Sequence, residues 1–223
     1  MKVAFFDAHK FEKKYFEKAN IRFGHEITYF ETRLTEQTAS LAKEFNCACC
    51  FVNDILDKEA LCKLKCENFR LIALRSAGFN NVNLKETKRL GLTVVRVPSY
   101  SPHAVAEHTI GLILTLNRKI HKAYARTRDG NFSLDGLVGF DLHGKTVGVI
   151  GTGKIGAVFS KIMKGFGCRV LAFDLIQNQK LIGDRVVDYV SLDELYRKSD
   201  IVSLHVPLVS EANHLIDFAA LKK

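Results

Sequence analysis

The residues with the clearest chemistry in this 223-residue chain are three glycines and an acid. Gly151-Thr152-Gly153-Lys154-Ile155-Gly156 follows an apolar run over residues 146–150 and opens a stretch of helical periodicity. Asp174 closes the next apolar run. Each glycine has a mechanical role. Gly151 permits a tight turn, Gly153 lets backbone approach a pyrophosphate, and Gly156 lets a helix pack close to its strand. The helix N-terminus then offers free N–H groups and the positive end of a dipole to phosphate. Asp174 can accept hydrogen bonds from both hydroxyls of an adenosine ribose and would repel a 2′-phosphate. Leu175 and Ile176 stand where a phosphate reader places Arg or Lys. The pattern points to NAD rather than NADP.

Two other residue sets could carry chemistry and are read as structural. The six cysteines are Cys47, Cys49, Cys50, Cys62, Cys66 and Cys168. A zinc centre wants paired thiolates on loops that turn inward. Cys47, Cys49 and Cys50 instead lie along an apolar strand, where small thiols fill a core, so reduced thiols and no metal are expected. The 33 basic side chains exceed the 24 acidic ones, giving a net charge of +9. They are scattered, and no run alternates basic and aromatic residues, so the charge reads as a solvated surface and not as a nucleic-acid partner.

The elements that must position these residues alternate. Residues 3–6, 26–30, 47–52, 70–74 and 92–97 read as strands. Helices are expected over 11–20 (with Phe11, Tyr15 and Phe16 on one face), 35–45 capped by Thr35, 56–66, and 84–90 closed by Gly91. Ser101 and Pro102 open a long apolar helix to about residue 124, expected to be buried between domains or subunits. Residues 126–142 read as loop. A second set of strands follows at 146–150, 169–173, 186–190 and 201–204, with helices ending near 165, over 191–197 with Ser191 and Glu194 as capping box, and from 218 onward. The alternation gives the fold class α/β with an open parallel sheet. The boundary is placed at 100/101.

Hydrophobic residues make up 47% and charged residues 26% of the chain, an ordinary globular balance that excludes a disordered or fibrous protein. No apolar run approaches the roughly 20 residues of a membrane helix, and Asp7, His9 and Lys10 interrupt the first strand region, so no signal peptide is read. A soluble, cytoplasmic protein is expected.

Several segments together resemble the D-isomer-specific 2-hydroxyacid dehydrogenases, and within them the fermentative bacterial D-lactate dehydrogenases. They are Phe51-Val52-Asn53-Asp54, Ala73 through Val82, Val95 through Pro102, Ala106-Glu107-His108, Leu116-Asn117-Arg118, Gly148 through Gly156, and Ser203 through Leu208. The resemblance implies two doubly wound parallel sheets of Rossmann or flavodoxin type, the second incomplete. It places them in a substrate domain, of which residues 1–100 are the N-terminal portion, and an NAD-binding Rossmann domain over 101–223, with the active site in the cleft between them. It implies that backbone N–H groups of Ser76, Ala77 and Gly78 hold the substrate carboxylate and that Tyr100 lies near the substrate side chain. With Phe51, Tyr100 suggests a small, apolar group there. Lys154 and Ile155 would contact the pyrophosphate, Asp174 the ribose, and Val206 and Pro207 the path of the cofactor. Asn213 stands one place after a polar position of the family, with Ala212 at the matching place. Arg75 is read either as a structural ion pair or as a carboxylate-steering group, and His205, which by type could be a catalytic base, as a structural histidine in what the resemblance makes a cofactor-side element.

The resemblance also implies what reduction of a 2-oxo acid needs: a cation that polarises the substrate, a general acid, and an acidic partner that keeps it protonated. The family supplies Arg, Glu and His for these roles, and no catalytic residue is expected before Lys223. The chain reads as an N-terminal portion of an NAD-dependent oxidoreductase, inactive alone and prone to aggregate through an unfinished sheet. Its partners would be a 2-oxo or 2-hydroxy acid and further copies of itself as a dimer or tetramer. The alternative is a catalytically inactive NAD-binding or regulatory module.

Overall fold

The computed structural model describes residues 1–66, 68–208 and 214–223. By contact the chain divides into two units, Met1–Tyr100 and Ser101–Lys223.

The first unit runs β1 (Lys2–Phe5), α1 (Lys10–Asn20), β2 (Glu26–Tyr29), β3 (Cys47–Cys50), α2 (Lys58–Leu64), β4 (Leu71–Leu74), α3 (Leu84–Arg89) and β5 (Thr93–Arg96). The strands pair in parallel in the order β2-β1-β3-β4-β5. All four residues of central β3 are buried. Successive side chains point to opposite faces. Cys47 and Cys49 therefore join Val3 and Phe5 on one face, while Ala48 and Cys50 join Phe6, Leu61 and Ile72 on the other. Burial pushes the Cys47 thiol up to about 12 and the Cys49 thiol up to about 11, so both stay protonated and inert.

Three departures from sequence expectation have local causes. Residues 35–45 form only a single 3₁₀ turn, Ala39–Ala42. The Thr38 hydroxyl donates back to the Arg33 carbonyl at 2.6 Å and accepts from the Thr35 N–H at 2.8 Å, closing a turn in place of a helix cap. Helix α2 starts only after Asp57, whose carboxylate accepts from the Ala60 N–H; Leu56 pairs with Val82 instead. On α1, Phe11 and Tyr15 are exposed, Phe16 packs edge-on against Phe5 at 4.7 Å, and the buried residue is Glu12.

The second unit runs α4 (Pro102–Arg118), α5 (Ile120–Arg128), β6 (Thr146–Ile150), α6 (Lys154–Gly165), β7 (Arg169–Phe173), α7 (Gln179–Gly183), β8 (Asp188–Tyr189), α8 (Leu192–Lys198), β9 (Ile201–Leu204) and α9 (Phe218–Leu221). Its parallel sheet has the order β8-β7-β6-β9. Ala106 and Ile110 of α4 and Phe159 and Met163 of α6 pack on Val147 and Val149, while Leu195 of α8 covers Ile150 and Leu171. Val186 and Val187, read as strand, are instead buried core beside a two-residue β8. The Ser191 hydroxyl caps α8 by accepting from the Glu194 N–H.

The long helix expected over 102–124 is broken. Ser101 caps it as anticipated, accepting from the Ala104 N–H, but Lys119 adopts the left-handed conformation and separates α4 from α5. Only Ala106, Ile110 and Asn117 of α4 are buried, and Leu112 and Leu116 are exposed in the single chain. The Asn117 side chain donates to the Phe140 carbonyl at 2.7 Å and accepts from the Phe140 N–H at 2.8 Å. No helix among the described residues is long and apolar enough to cross a membrane.

Candidate functional site

Ligands of open parallel sheets bind at the C-terminal ends of the strands. In the first unit that edge is organised by Arg75, which follows β4. Its guanidinium has five N–H donors, and each has an acceptor within the fold. Nε and Nη2 donate to the Glu12 carboxylate at 2.8 and 3.3 Å, Nη1 to the carbonyls of Phe6 and Cys49, and Nη2 to the carbonyl of Asp7. The same group lies over the Phe5 ring at 4.0 Å. Of its two sequence readings, the structural ion pair is therefore the one the geometry supports, with no donor left to steer a substrate. Asp54 is likewise architectural: buried, it accepts from the N–H groups of Leu34 and Phe51, and burial raises its pKa. The Asn81 amide donates to the carbonyls of Phe51 and Asp54, fixing the neighbouring turn.

Ser76, Ala77 and Gly78 follow directly. The Ser76 hydroxyl donates to the Gly78 carbonyl at 2.7 Å, Arg96 donates to the Ala77 carbonyl at 2.7 Å, and the Ser76 carbonyl accepts from Val97. The carbonyls are thus taken. The N–H groups of these three residues donate to no other group among the described residues. A short backbone segment with tied carbonyls and open N–H groups is suited to an anion. Tyr100, at the end of this unit, is exposed.

In the second unit the loop between β6 and α6 carries the glycines. Gly151 has φ +94° and lies against His205, where a Cβ would meet the carbonyl oxygen at 2.6 Å. A Cβ on Gly156 would run into the carbonyl oxygen of Gly151. Gly153 is different, since a Cβ there would meet nothing within 4 Å. No steric demand within the chain requires a glycine at 153, which leaves open space above the start of the helix. Gly153 is also the N-cap of α6 and makes no side-chain cap, so the first-turn N–H groups remain available to an anion. Lys154 is exposed beside them, and Ile155 is half-buried against the core.

Asp174 follows β7. Its Oδ2 accepts from the N–H of Thr152 at 2.5 Å and from the Thr152 hydroxyl at 3.0 Å, and its Oδ1 accepts from the Ile176 N–H at 3.2 Å. Burial pushes this carboxyl up, but the donors from Thr152, Ile176 and Leu175 together outweigh it and hold the group below the usual carboxylate range. Leu175 and Ile176 are almost fully exposed. His205 lies behind the loop, with Nε2 3.0 Å from the Ser203 hydroxyl and its ring 4.9 Å from that of Phe159. Burial pushes its pKa down, which suits a neutral packing residue. Val206 contacts the Gly151 position, and with Leu204, Pro207, Leu208 and Leu215 it borders an apolar hollow of about 290 Å³. Ala212 and Asn213 lie outside the described residues.

The glycine loop, bare helix end and ionised acid thus fit a dinucleotide. Residues 110–223 match the family described as D-isomer specific 2-hydroxyacid dehydrogenase, NAD binding domain. The chain belongs to this family. The dehydrogenase fold extends through both units. The D-lactate dehydrogenase of Escherichia coli is 51% identical over 223 residues, covering 100% of this chain and 68% of that protein. The apo structure of that enzyme superposes with a TM-score of 0.90, covering 99% of this chain and 69% of its own. A D-lactate dehydrogenase from Aquifex aeolicus, solved with NAD and lactic acid, is 32% identical with a TM-score of 0.83, over 99% of this chain and 65% of its own. The chain spans about two thirds of these relatives.

Sequence reasoning missed three residues that support the cradle. Thr152 holds Asp174, Tyr189 donates to the Thr152 hydroxyl at 2.7 Å, and the Asn178 side chain donates to the Thr152 carbonyl at 3.2 Å. A threonine between two glycines hints at the first. No spacing rule links residue 189 to residue 152, because only strand pairing brings them together.

Proposed function

We propose that this dehydrogenase reduces pyruvate to D-lactate with NADH, and that Ser76, Ala77 and Gly78 hold the substrate carboxylate through their backbone N–H groups. NADH supplies the hydride, and a protein acid supplies the proton to the carbonyl oxygen. The observation that carries the reading is the set of open N–H groups at 76–78, at the ligand-binding edge of a sheet whose neighbouring cation, Arg75, is fully engaged elsewhere. A small 2-oxo acid offers the matching carboxylate. Tyr100 is assigned to the substrate side chain, Lys154 and Ile155 to the pyrophosphate, and Val206 and Pro207 to the wall beside the cofactor.

None of these residues is assigned to polarisation or proton transfer, and the 223 residues alone are proposed not to turn over. The exposed apolar side chains Leu112, Leu116, Ile120 and Tyr124 are assigned to contact between copies of the chain.

The experiment compares the 223-residue polypeptide with the polypeptide as its gene encodes it. NADH oxidation is followed with pyruvate and with larger 2-oxo acids, and the chirality of the product is determined. The expected result is D-lactate from the encoded polypeptide and no turnover from the 223 residues. Turnover by the 223 residues refutes the proposal that they are inactive alone. A preference for a larger 2-oxo acid refutes pyruvate, and NAD binding without any turnover by the encoded polypeptide replaces the enzyme reading with a regulatory one.

A further inference from the structure

We propose that Tyr189 is a positioning residue for cofactor choice, acting through Thr152 to hold Asp174 ready for a free ribose 2′-hydroxyl and against a 2′-phosphate. This rests on the NAD reading of the cradle and extends it to a residue on another strand.

The available protons set the direction of each bond. An ionised carboxylate only accepts hydrogen bonds. The Thr152 hydroxyl, 3.0 Å from Asp174 Oδ2, must therefore spend its single proton there. At the 2.7 Å contact between Tyr189 and Thr152 the phenol is then the donor. The acceptor side of the phenol is filled in turn by the Asn178 N–H at 2.8 Å. The negative charge at one end fixes the direction of every hydrogen in the row, from Asn178 through Tyr189 and Thr152 to Asp174. Hydrogen bonds aligned in this way polarise one another.

The row exists because of strand register. Strand β8 pairs with β7 so that Tyr189 stands opposite Ala172, two residues before Asp174. Asn178 caps α7, its side chain accepting from the Lys180 N–H, and reaches the Thr152 carbonyl with its amide. Thr152 is itself buried. The outcome is a division of labour within one carboxylate. Oδ2 takes both Thr152 donors, whereas Oδ1 takes the Ile176 N–H at 3.2 Å, at the exposed surface, and the Leu175 N–H also supports the carboxylate, which keeps acceptor capacity for a ribose hydroxyl. Removing the phenol oxygen leaves Thr152 Oγ1 without its donor and frees that hydroxyl to turn from Asp174.

The test is equilibrium titration of the encoded polypeptide with NAD⁺ and with NADP⁺, which needs no turnover. Losing one hydrogen bond of this kind costs about 0.5–1.5 kcal/mol, so Tyr189→Phe is expected to weaken NAD⁺ binding roughly 2- to 12-fold. NADP⁺ shares the adenine, pyrophosphate and nicotinamide, and its weaker binding is expected to stay unchanged, narrowing the ratio of the two by the same factor. In an Asp174→Asn background, Tyr189→Phe is expected to add nothing, since the two act as one unit. Thr152→Val is expected to narrow the ratio and Thr152→Ser, which keeps the hydroxyl, to restore it. These two variants also serve if Tyr189→Phe does not fold. An equal shift for both cofactors, or an effect that adds to that of Asp174→Asn, overturns the proposal, as does an unchanged ratio in Thr152→Val. If Asp174→Asn alone abolishes the preference and Tyr189→Phe does not alter it, the NAD reading stands and the role of Tyr189 falls. A wild-type protein with no preference for NAD⁺ refutes the NAD reading itself.

Discussion

Arg75→Met removes a cation that the first sheet is built around, and its cost follows from the structure. Arg75 and Glu12 side chains retain only 6% and 10% of their exposure. The substitution keeps an unbranched apolar stem but deletes five hydrogen bonds. It leaves the Glu12 carboxylate unpaired and the carbonyls of Phe6, Asp7 and Cys49 without this donor. Five bonds at about 1 kcal/mol net each give about 5 kcal/mol. Breaking a buried pair by removing one partner costs about 3–5 kcal/mol, so the two routes agree. At about 1.4 kcal/mol per tenfold, protection of slow-exchanging amides in β3 and β4 should fall by roughly two to three and a half powers of ten. Amide hydrogen exchange resolves this strand by strand, with β6 and β7 in the same chain as reference. A fall of less than tenfold in β3 and β4 refutes the structural reading of Arg75. Weakened binding of a 2-oxo acid with protection intact would return Arg75 to the substrate.

Three further outcomes are expected. Gly156→Ala places a methyl against the Gly151 carbonyl, where overpacking costs about 1–3 kcal/mol and shifts the loop; NAD⁺ titration should show at least tenfold weaker binding, and unchanged affinity refutes the close approach. His205 is held below its ordinary pKa by burial, so the unfolded chain binds the proton more readily. Stability should be complete above the ordinary histidine range and decline as pH falls through about 6.5, and a series of melting temperatures should show this decline shrinking in His205→Gln. Cys62 is exposed, whereas Cys47, Cys49 and Cys50 are buried with raised pKa values. A thiol reagent at mild alkaline pH should label Cys62 rapidly and those three only after denaturation.

What the sequence reveals and what it hides separate along a physical line. Parallel strands buried on both faces leave continuous apolar runs, so β3, β6 and β7 are legible to within a residue or two. The glycine loop is legible because Gly151 and Gly156 each answer to a steric demand within the chain, while Gly153 leaves open space between them. Thr35 is misleading, because a hydroxyl that can cap a helix can also close a turn, and the choice is made by Thr38 and Arg33. The break at Lys119 carries no glycine or proline to announce it. On α1 the hydrophobic pattern points to Phe11 and Tyr15, yet the core takes Glu12, because a buried guanidinium 63 positions away supplies its partner. Contacts between distant residues of opposite charge leave no local period to read.

The clamp of Asn117 on Phe140 has a consequence for how this chain can vary. The two hydrogen bonds close an excursion of the chain just before β6, and Lys119 and Arg126 fasten its interior by donating to the carbonyls of Val138 and Asp135. Everything between the two residues returns to the place it left. Doubling such a loop costs only about 0.6 kcal/mol in closure entropy. Residues can be gained or lost inside it while the gate hands the chain to the central strand in unchanged register. The excursion is a place where the protein can acquire new surface at little risk to the sheet that carries its glycines.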